Sequence, residues 1–131
     1  MENKLPKLSG REKDVISVLW KVGKSMTASE ITEYNKELNI NTVQSALRNL
    51  IKKDYLEIAD IVYSGTVLSR SYRPKVSAEE YAAYQLQIMQ RNSYNFSAMK
   101  FVDFLTKGHD KNLLDDLEQA IQKQKEKGKE K

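Results

Sequence analysis

The residues best suited to chemistry lie between positions 39 and 53: Asn41, Thr42, Gln44, Ser45, Arg48 and Lys52. The amides of Asn and Gln can pair bidentately with adenine. Hydroxyls bond either way or touch a thymine methyl, and a guanidinium suits guanine or a phosphate. No Asp or Glu occurs from 39 to 53, which favours a surface that must approach phosphates. Polar residues on the outside of an amphipathic helix are also ordinary solvent-facing residues, so these six gain meaning only from their surroundings. A second group, Ser64, Ser69 and Arg70, lies in and after the small polar stretch Tyr63-Ser64-Gly65-Thr66. Hydroxyls and an arginine placed there are fitted to position a nucleic-acid backbone. Arg73 is expected to pair with a nearby acid, and Tyr72 to join the core.

Other chemistries are poorly supplied. The absence of cysteine removes disulfides, thiolate metal sites and a thiol nucleophile. A single histidine rules out a multi-histidine metal site within one chain, so no metal or cofactor is expected. His109 sits in a Lys-Gly-His-Asp turn, and Asp115, Asp116 and Glu118 lie on the surface of one helix. Neither makes a nucleophile–base pair or a ligand set, so no enzymatic activity is expected.

The elements that must position the polar groups follow from caps and periodicity. Residues 1–8 contain Pro6 and read as a loose arm. A helix is predicted over 9–22. Ser9 and Glu12 form a capping box, Val15, Val18, Leu19 and Val22 supply the apolar stripe, and Gly23 is the stop. Thr27 and Glu30 cap a second helix over 27–36, with Met26 and Ile31 as its hydrophobic staple. A third helix covers 39–53. Asn39 is its N-cap, and Val43, Ala46, Leu47, Leu50 and Ile51 are its buried side. Two strands, 55–63 and 67–73, flank a turn at Ser64-Gly65. Ser77 and Glu80 cap a helix to about residue 92, and two more are predicted over 96–107 and 110–124. The lysine-rich tail from 123 to 131 is expected to fray.

Three helices followed by a hairpin is the order of a winged helix-turn-helix, in which the last helix of the pair enters the major groove. The predicted fold is therefore mainly α with a small β-hairpin: a winged-helix DNA-binding domain over 1–76 and a helical dimerisation segment over 77–131. Charge divides the same way. Of 131 residues with a formal charge of +4, residues 1–76 hold 13 Lys/Arg against 9 Asp/Glu, whereas residues 77–122 hold 4 against 7. Such asymmetry suits an anion-facing module joined to something else. The C-terminal helices carry Tyr81, Tyr84, Ile88, Phe101, Phe104, Leu105, Leu114, Leu117 and Ile121. These are too many apolar groups for one short segment to bury; a second copy of the chain would cover them, the alternative being that they fold back on the winged helix of their own chain. No apolar run nears the roughly 18 residues that a membrane span needs, and there is no signal-peptide pattern. A cytoplasmic location with no membrane partner is expected.

Three stretches resemble a known family. Leu8-Ser9-Gly10-Arg11-Glu12 through Val18-Leu19-Trp20 is similar to the opening helix of the penicillinase-repressor (BlaI/MecI/CopY) family of winged-helix regulators. The run from Asn41-Thr42-Val43-Gln44 to Lys52-Lys53 is similar to its recognition helix, and Tyr72-Arg73-Pro74 with Ser77-Ala78-Glu79-Glu80-Tyr81 to its wing exit. The resemblance covers about residues 8–122. It implies a homodimeric transcriptional repressor on a palindromic double-stranded DNA operator, commonly with TACA and TGTA half-sites, and an upstream sensor-protease system. The chain departs from the family in three ways. It lacks the cysteines of the copper-responsive members. Lys100-Phe101 occupies about the place of the cleavage motif without matching it. Asp54 stands where many members have Gly. The alternative reading is a winged helix used for protein–protein contact without specific DNA.

Overall fold

A computed structural model of the chain describes residues 5–92, 95–108 and 111–129; the side chains of Ser64 and Lys129 lie outside that description. His109 and Asp110 are also outside it. In order, the elements are α1 (Gly10–Val22), β1 (Met26–Thr27), α2 (Ala28–Tyr34), α3 (Ile40–Lys52), β2 (Leu56–Ser64), β3 (Val67–Pro74), α4 (Ala78–Arg91), α5 (Ala98–Thr106) and α6 (Lys111–Lys129).

The predicted caps form. Ser9 Oγ accepts from Glu12 N while Glu12 Oε1 accepts from Ser9 N at 3.0 Å. Thr27 and Glu30 make the same reciprocal pair at 3.2 and 2.9 Å. Asn39 Oδ1 takes the Thr42 N–H at 2.8 Å, and Ser77 Oγ takes that of Glu80 at 3.0 Å. Each cap satisfies a backbone donor that a helix start would otherwise leave open. Gly23 ends α1 at φ +77, a left-handed geometry that favours glycine.

The sheet is antiparallel, in the order β1-β3-β2. β1 pairs Met26 with Tyr72 and Thr27 with Ser71, so the start of α2 is tied to the wing. In the hairpin, Ser64 faces Val67 across a turn in which Gly65 has φ +68. A bulge between Ile58 and Asp60 shifts the register.

The chain separates into two compact units, residues 1–88 and 89–131. In the first, Val15, Ile16 and Leu19 of α1 pack with Ile31 of α2, Val43, Leu47 and Leu50 of α3, and Tyr55 and Leu56 at the wing base. Trp20 donates from Nε1 to the Val76 carbonyl at 2.9 Å, and its ring lies 5.6 Å from that of Tyr81. The described part of the N-terminal arm is not loose. Leu8 is buried, Leu5 packs on the core, and the Pro6 carbonyl accepts from Tyr55 Oη at 2.6 Å. Two leucines were enough to anchor it despite the proline between them.

In the second unit, Ser97 caps α5 by accepting from Lys100 N at 3.2 Å, and the Phe96 and Phe101 rings lie 5.7 Å apart. α6 runs to Lys129, well past the point where fraying was expected. Lys, Glu and Gln are good helix formers, and Gln122 reaches Glu126 one turn on.

Candidate nucleic-acid interface

α3 is held by one face and free on the other. Val43, Ala46, Leu47 and Leu50 are buried, while Asn41, Gln44, Ser45, Arg48 and Lys52 are exposed and Thr42 is half-buried. Among the described residues, Arg48 and Lys52 enter no ion pair, so both cations are available to an anion.

The C-terminus of α3 is closed by a Schellman arrangement. Tyr55 N donates to the Leu50 carbonyl at 2.9 Å and Asp54 N to that of Ile51 at 3.0 Å, with Asp54 at φ +65. This is the position at which Asp replaces the glycine of many family members, and the backbone takes the glycine-like geometry anyway. The Asp54 carboxylate then accepts from Lys75 Nζ at 2.7 Å. That hydrogen bond and the Asp54 charge raise the Lys75 ammonium above its ordinary pKa.

Two polar residues of the α3 end are turned inward. Asn49 Nδ2 donates to Glu12 Oε2 at 3.2 Å, and Lys53 Nζ donates to Glu12 Oε1 at 2.5 Å and to the Lys7 carbonyl at 2.8 Å. Glu12 is buried. Burial pushes its carboxyl upward, but the Lys53 hydrogen bond, the Ser9 N–H, the Lys53 charge and the Asn49 amide together hold it below its ordinary value. This set pins α1 and the arm to α3. Tyr55, beneath it, is pushed up to about 12 by burial and by the neighbouring Tyr81, Tyr84 and Glu12.

Between the first turns of α1 and α3 lies an open cleft of about 360 Å³. Arg11 and Glu12 form one wall, and Asn41, Thr42, Ser45 and Asn49 the other. Arg11 belongs to this surface although it stands 30 positions before Asn41. No local sequence signal marks it, because only the packing of α1 on α3 brings it there.

On the wing, Arg70 is exposed and unpaired among the described residues, and Ser69 is half-buried. The backbone places Ser64 at the end of β2. As expected, Arg73 is taken by Glu57 at 2.7 Å and Tyr72 packs on the core. The register sets Ile61 opposite Arg70 and Tyr63 opposite Leu68. Tyr63 is 76% exposed, so the wing carries an apolar side that the sequence reading did not single out.

Of the residues expected at a subunit interface, Tyr81, Tyr84 and Ile88 are half-buried within the first unit, with the Tyr81 ring already packed near Trp20 and Tyr55. In the second unit, Phe101, Phe104, Leu105, Leu114 and Ile121 are exposed and Leu117 is half-buried. Among the described residues there is no cluster of potential metal ligands and no helix long and apolar enough to cross a membrane.

A family model described as penicillinase repressor matches residues 8–123. Comparison with curated protein sequences gives no match. Solved structures are similar at low identity. Streptococcus pneumoniae FabT in complex with DNA is 16% identical with a TM-score of 0.46, covering 98% of this chain and 80% of that one. Bacillus subtilis PadR in complex with operator DNA is 13% identical with a TM-score of 0.45, over 88% and 70%. A mutant MarR from E. coli with operator DNA is 15% identical with a TM-score of 0.39, over 88% and 73%.

Proposed function

The chain belongs to the penicillinase repressor family, and from that premise we propose that it is a DNA-binding repressor working as a homodimer on a palindromic operator. The observation that carries the reading is the exposed, acid-free face of α3, with Arg48 and Lys52 unpaired among the described residues. Asn41, Thr42, Gln44 and Ser45 lie in the first turns of α3, where a groove-bound helix meets base edges. Arg48 and Lys52 follow at helical spacing toward the backbone. Ser64, Ser69 and Arg70 of the wing contact phosphate and fix the register.

One α3 helix spans too few base pairs for specificity. Two copies related by a two-fold axis would read half-sites about 10 bp apart. The pairing is supported by the apolar groups left open in the second unit, Phe101, Phe104, Leu105, Leu114, Leu117 and Ile121, with the first-unit residues Tyr81, Tyr84 and Ile88 nearby in sequence. Family membership also suggests an upstream sensor-protease system as the route of release.

Gel-shift titration of Arg48→Ala tests the placement of α3. Loss of a bidentate or phosphate-bound arginine should weaken operator binding by about tenfold for each half-site. Unchanged affinity at moderate salt would remove this face from the interface. The apolar side of the wing, Ile61, Tyr63 and Leu68, favours a second reading as a protein-docking module. That reading predicts weak DNA binding without sequence preference, whereas the repressor reading predicts a steep loss of affinity with salt and a clear operator preference.

A further inference from the structure

Resting on that reading, we propose that Arg11 clamps a backbone phosphate of the duplex over the cleft between α1 and α3. The cleft is open, and its far wall is the reading helix itself, through Asn41, Thr42 and Ser45. With α3 in the major groove, the backbone that borders the groove runs beside this helix, and Arg11 faces it from α1. A guanidinium suits a phosphate because its planar fork can donate two parallel hydrogen bonds. Ser45 and Asn41 add neutral donors on the opposite wall.

Arg11 is free to make the exchange. Its only ion partner among the described residues is Asp14 at 3.4 Å, and the two side chains are 64% and 50% exposed. An exposed pair of that kind holds little. Glu12 does not oppose a phosphate. Its carboxylate is committed to Lys53 Nζ, the Ser9 N–H and the Asn49 amide. The same bonds tie the first turn of α1 to the end of α3.

The test compares full-length wild type, Arg11→Gln and Asp14→Asn across a salt series, on operator and unrelated duplexes. Arg11→Gln should weaken binding to both by about the same factor, and the slope of log K against log salt should fall by about 1.8, about 0.9 for each of the two subunits. Selected base preferences should not move, because phosphate contacts carry no sequence information. Asp14→Asn should tighten binding by freeing Arg11 and removing a negative charge. An unchanged slope in Arg11→Gln, altered base preferences, or weaker binding by Asp14→Asn would overturn the clamp. If Arg48→Ala loses operator binding while Arg11→Gln keeps the wild-type slope, the clamp alone fails. If neither variant changes binding, the reading of α3 fails with it.

Discussion

Residues 5–88 bury fifteen hydrophobic side chains, whereas none of the described residues from 89 to 129 is buried. The two regions draw on the same kinds of residue. The first folds them around Leu47, Leu50 and Tyr55, closes each helix start with a cap, and spends its one buried acid, Glu12, on a lysine and an amide. The second arranges its apolar groups along amphipathic helices and leaves them open, with Phe104 at 72% and Ile121 at 55% exposure. A surface of that kind is unfavourable in water unless something covers it. The contrast separates a region that completes its own core from helices whose open apolar groups are the ground for proposing a second copy.

The largest expected effect breaks that contrast at its open side. Placing charges in the helical unit with the double variant Leu105→Glu/Leu117→Glu should convert the dimer to monomers in sedimentation velocity. It should weaken operator binding by about 100-fold or more, since two half-sites no longer act together. Dimers that persist would show that other residues pair the chains. Next come truncations that compare the two regions directly. Leu50→Ala should cost about 3 kcal/mol in urea unfolding, whereas Ile121→Ala, read at dilutions that favour monomer, should cost less than about 0.5 kcal/mol. Equal losses would mean that both regions are finished by one chain.

A smaller effect is expected in the interior of the first region. Glu12→Gln should destabilise by about 2 kcal/mol at neutral pH by leaving Lys53 without its charged partner. The sign of its pH dependence is fixed by the direction of the shift. Glu12 is held below its ordinary value of 4.5 in the folded chain, so its contribution is complete above the unfolded value. It is lost as pH falls through the lowered folded value. Urea midpoints of wild type and Glu12→Gln should therefore converge below about pH 4.5; a constant gap would sink this assignment.

What could be read from sequence was what local chemistry decides. The caps at Ser9, Thr27, Asn39 and Ser77 announce themselves within three residues, and the buried stripe of α3 follows from spacing alone. β1 was not legible, because two residues become a strand only when Tyr72 and Ser71 are brought beside them. The bulge near Ala59 has the same origin. The extension of α6 to Lys129 was missed because a charge run carries no apolar period, although its residues favour helix. The candidate interface divides likewise. Asn41 through Lys52 could be picked out from type and position, but the diversion of Asn49 and Lys53 to Glu12, and the approach of Arg11, depend on contacts across 30 or more residues of chain.

Selection of bound duplexes from a random pool asks whether paired α3 helices read DNA in a sequence-dependent way. Enrichment of two inverted half-sites with centres about 10 bp apart is expected. A pool that stays random, or one that converges on a single half-site without symmetry, would contradict it.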